Sequence, residues 1–185
     1  MSTMSTMSTM RWMSSMSSMR WIRELLVGLV VAAALGCSGD APGPAERIRS
    51  FDAGDTPIAS TGVAADDGGW RIERDAAGPV ALFEVPEQRL ENVVLTYRAR
   101  MRASDVAGKA YLEMWVRVPG RGEFFSRGLA QPLHGTSGWA SYEIPFLLNE
   151  RGVTADLVKL NVAFDGGGGT VWIKDIELHK AALSG

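Results

Sequence analysis

The sequence has little cysteine, little histidine and no strong excess of either charge. Cys37 is the only cysteine among 185 residues, which excludes an internal disulfide framework and a zinc site built from several cysteines. His134 and His179 are the only histidines, and two such residues argue against histidine-rich metal chemistry. The net charge is −2 and no basic cluster is present, so we expect no nucleic-acid partner.

Motifs typical of catalysis are also missing. No G-x-S-x-G nucleophile elbow occurs, and "GTSGW" at residues 135–139 does not fit one. The stretch "DGGGGT" at residues 165–170 lacks the lysine of a phosphate-binding loop and precedes a strand, so it predicts a hairpin turn. Acidic residues are scattered through the sequence, so the sequence alone leaves open a pair of carboxylates that would cleave a glycosidic bond. We expect that the protein is not an enzyme.

The N-terminal third contains one long apolar run, at residues 25–35. Arg20 and Arg23 precede this run, and Gly36 and Cys37 follow it. Eleven residues are too few to span a bilayer, which needs about 20 in a helix. A positive start, a short apolar centre and a small residue at the end are typical of a secretory signal peptide, which we assign to residues 19–36.

The end of this segment, Ala-Leu-Gly-Cys at residues 34–37, resembles the lipobox of bacterial lipoproteins. The resemblance implies that Cys37 is lipidated, that the preceding peptide is removed, and that acyl chains anchor the domain to a membrane of the cell envelope. With Ser38 after the cysteine, it implies outer-membrane sorting if the source is Gram-negative. The alternatives are a plain secretory signal with an incidental cysteine, or a short buried helix.

A methionine stands at every third position from Met1 to Met19. Thioether sulfurs are soft ligands, so a Cu(I) site is one interpretation of this tract. The tract, however, precedes a signal peptide that is complete from Met19, and its low complexity offers no pattern for a packed core. We therefore interpret residues 1–18 as a dispensable or misassigned extension.

Residues 37–46 are predicted to form the lipidated cysteine and a flexible tether, because small residues, glycine and proline dominate them. A folded domain is expected over residues 47–180, with a C-terminal tail at 181–185. Residues 38–185 contain 16 Lys and Arg against 20 Asp and Glu, so this part of the chain is mildly acidic, with a net charge of −4.

Apolar and polar residues alternate with a period of two across this domain, which is typical of half-buried strands. Residues 93–103 place apolar side chains on one face and three arginines on the other, Arg98, Arg100 and Arg102. Residues 110–118 alternate in the same way, with an outward face of Tyr111, Glu113, Trp115 and Arg117. Residues 156–165 alternate as well. Five further strands are predicted at residues 47–53, 69–74, 79–85, 139–146 and 170–178.

Glycine-containing turns separate these segments, and no window longer than about ten residues has a helical period. Eight short strands of this kind predict an all-β fold, a jelly-roll β-sandwich of roughly eight antiparallel strands. The length suits one domain.

Three segments of this pattern resemble galactose-binding-like jelly rolls, the fold of many carbohydrate-binding modules. They are Phe51-Asp52, Trp139 with Tyr142 after a glycine-containing turn, and residues 170–178 with Asp175. The resemblance implies a structural Ca²⁺ between the first and last strands, held by the carboxylates of Asp52 and Asp175. The alternative is that these acids serve as turn and cap groups. No other cofactor is implied.

Carbohydrate sites combine aromatic planes with charged or amide groups that bind hydroxyls, and the outward face with Tyr111, Glu113, Trp115 and Arg117 offers this combination. The alternative is an amphipathic outer face without a ligand. Trp70, Trp139 and Trp172 are expected to pack in the core or at its edges. The arginine stripe either binds an anionic glycan or lipid headgroup, or is a solvated face paired with acids such as Glu113.

Two hypotheses about function follow. In the first, an envelope-anchored lipoprotein binds a ligand, foremost a carbohydrate, without catalysis. In the second, the same anchored domain is a structural or protein-interaction module of the cell envelope without a glycan ligand.

Overall fold

The computed structural model describes residues 43–183; the predicted signal peptide, Cys37 and the first part of the tether lie outside this range. The described chain consists of nine strands joined by turns, and no helix in it is long and apolar enough to cross a membrane. The strands are β1 (Glu46–Phe51), β2 (Val63–Asp66), β3 (Gly69–Arg74), β4 (Gly78–Leu90), β5 (Val93–Val118), β6 (Gly122–Arg127), β7 (Leu133–Leu148), β8 (Ala155–Asp165) and β9 (Gly169–Ala182).

The eight pairings between these strands are all antiparallel, and β5 takes part in four of them. Its first part, residues 93–104, pairs with β9 on one side and β7 on the other; β1 and β3 pair with the far edge of β9, and β2 pairs with β3. We call these strands half A. The second part of β5, residues 109–118, pairs with β8 and β6, and β4 pairs with β8. These strands form half B.

The two halves meet where β5 bends, between Ser104 and Lys109. Asp105 has a positive φ of 54°, and the register against β7 shifts on both sides of it. At this bend Gly108 lies against the end of β8: a Cβ at position 108 would stand 2.0 Å from the Asp165 carbonyl oxygen. A side chain there is therefore sterically excluded, and the glycine permits the sheet to curl.

Alternate residues of both halves point into one hydrophobic core. Along β5 the buried row runs through both halves, from Leu95, Tyr97 and Met101 to Leu112, Met114 and Val116. Trp70 is 2% exposed and packs edge-on against Phe83, confirming its predicted place in the core. The sheet thus closes on itself as a jelly-roll sandwich, the predicted fold class.

The predicted strands differ from the observed ones in three respects. The strands predicted at residues 79–85 and 139–146 are longer than expected, since β4 spans Gly78–Leu90 and β7 spans Leu133–Leu148. The segments 93–103 and 110–118 are parts of a single 26-residue strand, because pairing with β7 continues across the bend. Two short strands, β2 and β6, were not predicted. Most residues of these two strands are exposed, so apolar and polar side chains do not alternate along them.

Candidate ligand-binding face

The outward side of half B brings together the four residues that the sequence indicated and four that it did not. Strand β5 contributes Tyr111, Glu113, Trp115 and Arg117, as its alternation predicts. The cross-strand partners come from β6 and β8: Phe125 and Lys159 lie opposite Trp115, and Arg127 and Asn161 lie opposite Glu113. We call this set of eight residues the Glu113 face.

Glu113 is the centre of this face and is 1% exposed. Its Oε1 accepts hydrogen bonds from Trp115 Nε1 at 2.8 Å and Asn161 Nδ2 at 3.2 Å, while its Oε2 accepts one from Arg127 Nε at 2.7 Å. A buried carboxylate is tolerated only when it is paired and hydrogen-bonded in this way. The hydrogen bond to Glu113 also raises the pKa of Arg127 above its usual range.

These hydrogen bonds fix the orientation of an aromatic pair. Trp115 and Phe125 have ring centroids 5.1 Å apart with a tilt of 46°, and the Arg127 guanidinium lies 4.5 Å from the Phe125 centroid. Phe125 is 52% exposed and Trp115 is half-buried, so both rings reach the surface. Because the indole N–H is bonded to Glu113, the tryptophan offers a ligand its ring surface rather than a hydrogen bond.

Polar groups surround the aromatic pair at short distances. Arg117 forms two hydrogen bonds with Asp156, of 2.8 and 3.0 Å, which lower the pKa of this carboxyl group. Lys159 pairs with Glu123 at 2.6 Å. The Oδ1 of Asn161 is buried, and no described residue donates a hydrogen bond to it. It is therefore an internal acceptor without a donor among the described residues, and it is not exposed to a ligand.

The structure thus places Tyr111, Glu113, Trp115 and Arg117 on one outward face, as predicted, but in different environments. Tyr111 is only 5% exposed, and burial raises the pKa of its hydroxyl, with the Arg127 charge opposing this effect. Glu113 is buried and holds Trp115, Arg127 and Asn161 in place through its hydrogen bonds. Trp115 and Arg117 remain accessible. The sequence did not indicate the four residues from β6 and β8, and Phe125 is the aromatic one among them, because the segment "GEFFSR" has no alternating pattern that marks β6 as a strand.

The outward side of half A carries a second group of aromatic and charged residues. We call it the arginine face: Arg98, Arg100 and Arg102 from β5, Trp139 from β7, and Trp172 and Lys174 from β9. The Arg102 guanidinium lies 4.1 Å from the Trp172 ring centroid, and Lys174 Nζ lies 4.3 Å from that of Trp139. Cations therefore cover these indole rings. Trp139 and Trp172 are half-buried and lie on the surface of the sheet rather than in the core.

The arginines of this face are paired with acids, as one of the two interpretations predicted, but Glu113 is not among them. Arg98 contacts Glu143 at 2.9 Å, Arg100 contacts Asp175 at 3.9 Å, and Arg102 contacts Asp67 at 3.7 Å. Glu113 lies on half B, because the bend in β5 separates it from the arginine stripe. A groove of about 410 Å³ lies between these ion pairs, lined by residues that include Arg98, Arg100, Ser141 and Glu177.

The two acids proposed as calcium ligands do not form an oxygen-rich site. Asp52 Oδ1 accepts a hydrogen bond from the Gly54 backbone N–H at 2.8 Å, as a turn group does. Asp175 lies beside Arg100. Among residues 43–183, no three His, Cys, Asp or Glu side chains are grouped so that they could hold a metal ion. Calcium requires six to eight oxygen ligands, and grouped side-chain carboxylates of the described residues do not supply such a set.

Comparison with known proteins identifies the fold and nothing finer. No family model and no curated protein matches the chain. Among solved structures, the CBM22-1 xylan-binding domain from Paenibacillus barcinonensis Xyn10C has 10% identity and a TM-score of 0.52, covering 78% of this chain and 100% of that one. A chain of the infectious bursal virus derived T=1 particles has 11% identity and a TM-score of 0.51, covering 86% of this chain and 36% of that one.

Proposed function

We propose that this domain binds carbohydrate at the Glu113 face and catalyses no reaction on it. The observation that carries the proposal is the exposed Trp115–Phe125 pair, held in position by a buried carboxylate that satisfies the indole N–H. Aromatic rings gain from covering the apolar face of a sugar ring, and rings fixed in advance lose little entropy on binding.

The polar surroundings support the same ligand class. Sugar hydroxyls both donate and accept hydrogen bonds, and the face offers both kinds of partner close to the rings: Arg117 and Lys159 as donors, and the carboxylates paired with them, Asp156 and Glu123, as acceptors. The xylan-binding domain shares the fold, which makes carbohydrate the first ligand to test, although one fold supports many functions.

A glycan array tests this proposal. We expect the wild-type domain to bind at least one neutral plant or bacterial polysaccharide, and Trp115→Ala and Phe125→Ala to weaken that binding about tenfold each, or ~1.4 kcal/mol. The matched control is Trp172→Ala, which removes an indole from the arginine face. Binding to no glycan, or loss of binding in the control alone, would contradict the proposal and favour a protein-interaction role.

We also propose that the domain is held on a membrane of the cell envelope through lipid on Cys37. The support is the sequence before the domain: an eleven-residue apolar run after two arginines, ending at the only cysteine. Stable anchoring needs more than one acyl chain, as a lipidated N-terminal cysteine provides. Growth with labelled palmitate should label the wild-type chain but not Cys37→Ala. Label that persists in the variant would contradict the anchor.

A further inference from the structure

An apolar groove of about 150 Å³ opens at one end of the domain. Its apolar lining comes from the end of β5, the start of β6, the end of β7 and the turn before β8, and consists of Val118, Phe124, Phe146, Leu147, Leu148 and Val153. Phe124 is 44% exposed and Leu147 is 55% exposed. The ion pair of Arg121 with Glu150, at 2.8 Å, borders the groove. Phe124 and Leu147 therefore expose large apolar side chains to solvent at the apolar groove.

The chain enters the domain at the same end. The Gly43 backbone N–H donates a hydrogen bond to the Ala182 carbonyl oxygen at 2.8 Å, Ala182 pairs with Val93, and Val93 pairs with Leu148 in the groove. These are three steps between neighbouring strands, each about 4.8 Å. Gly43 and the groove therefore lie within about 15 Å of each other.

The segment between Cys37 and Gly43 is too short for the domain to stand upright on its opposite end at a membrane that holds Cys37. Six Cα–Cα steps of at most about 3.6 Å place Cys37 within about 22 Å of Gly43. The far turn at Asp165 lies a full strand away, about 33 Å along β8. A domain held at Cys37 can therefore stand on the end with the groove but not on the opposite end.

We infer that this end of the domain docks onto the lipid bilayer, with Phe124, Leu147 and the groove in contact with the acyl chains. The inference rests on the proposed anchor at Cys37. Apolar side chains at a membrane interface leave water when they insert among the acyl chains, which is favourable. The tether also holds the bilayer near the groove, so that docking takes place at a high effective concentration. Docking by this end directs the strands away from the membrane and leaves the Glu113 face accessible to a ligand.

Coupling through the single cysteine tests the inference without depending on lipidation in cells. The full-length, unlipidated chain is coupled through Cys37 to maleimide-bearing phosphatidylcholine vesicles. Hydrogen exchange is then compared with that of the same chain capped at Cys37 by N-ethylmaleimide and mixed with plain vesicles. We expect exchange at residues 119–124 and 147–153 to slow about tenfold on coupling, and exchange at residues 165–169 to stay unchanged.

Matched variants show whether the apolar side chains are responsible. Phe124→Ser and Leu147→Ser should abolish the slowing, whereas Leu129→Ser, which removes an equally exposed leucine outside the groove, should preserve it. Equal exchange in coupled and capped chains, protection centred elsewhere, or protection that survives Leu147→Ser would overturn the inference. The palmitate experiment tests the anchor separately, so the two proposals fail independently.

Discussion

Glu113 supports the candidate face through three hydrogen bonds, and its removal leaves three donors without an acceptor. We expect Glu113→Ala to lower the free energy of unfolding by about 2 kcal/mol, less than for a fully buried ion pair because Arg127 is partly exposed. Urea unfolding measures this effect. The matched control is Glu143→Ala, which removes the acid of an exposed pair with Arg98 and should change stability by less than about 0.5 kcal/mol. Equal effects of the two changes would show that Glu113 has no special role.

Tyr97 carries a hydroxyl group that is buried in the core without a hydrogen-bond partner among the described residues. An unsatisfied buried hydroxyl costs free energy, so Tyr97→Phe should stabilise the domain by about 1 kcal/mol. Tyr142→Phe, at a partly exposed ring, should have little effect. Thermal unfolding of the three proteins at neutral pH checks this prediction, and destabilisation by Tyr97→Phe would contradict it.

The same residue gives a pH dependence with a definite sign. Burial raises the pKa of Tyr97 far above its usual value of 10.0, so the folded state keeps the proton when the unfolded chain loses it. The contribution to stability is complete below pH 10 and is lost as the pH rises above that value. Urea titrations between pH 9 and pH 11 should show a steeper fall for the wild type than for Tyr97→Phe. Parallel curves would contradict this assignment.

Alternation along β5 was enough to predict which side chains point outward but not how accessible they are. Tyr111 and Glu113 occupy outward positions and are nevertheless buried. Their burial depends on neighbours on β6 and β8, including Arg127 and Asn161, which lie 14 and 48 residues from Glu113 in sequence. A period of two contains no information on such cross-strand contacts.

The bend of β5 joins the two halves of the sheet and depends on Gly108. A Cβ at this position would approach both the Asp165 carbonyl oxygen and the backbone of Gly166, and backbone atoms move only at a high cost. We expect Gly108→Ala to lower the free energy of unfolding by about 3 kcal/mol. Gly138→Ala in β7 is the matched control, because a Cβ there has no atom within 4 Å. A loss of less than about 0.5 kcal/mol in both variants would contradict the steric argument.

Strand β6 shows why part of the candidate site was not predictable. Its residues are almost all exposed, since it is an edge strand of half B and, within the described part of the chain, pairs only with β5. Without a buried face, the sequence of β6 does not alternate between apolar and polar residues, and no strand was predicted at Phe125. Strand β8, most of whose residues are buried, was predicted within one residue of its observed bounds, because burial dictates its apolar pattern.

The two outward faces of the sandwich have similar residues but different organisation. On the arginine face, cations lie over the indoles of Trp139 and Trp172 and acids pair with the arginines, so the rings are largely engaged. On the Glu113 face, the buried carboxylate of Glu113 holds the Trp115 indole from within, and the Phe125 ring is open to solvent. The fold class followed from strand and turn patterns, whereas the difference between the faces depends on distances that only the folded chain supplies.

Indole N–H resonances provide the most direct measurement of where a ligand binds. The domain is labelled with ¹⁵N, the tryptophan signals are assigned from single Trp→Phe variants, and neutral oligosaccharides of glucose, xylose, mannose and galactose are titrated in turn. We predict that one of these series shifts the Trp115 signal saturably and leaves the Trp139 and Trp172 signals in place. Shifts confined to Trp139 and Trp172, or no shift with any oligosaccharide, would contradict carbohydrate binding at the Glu113 face.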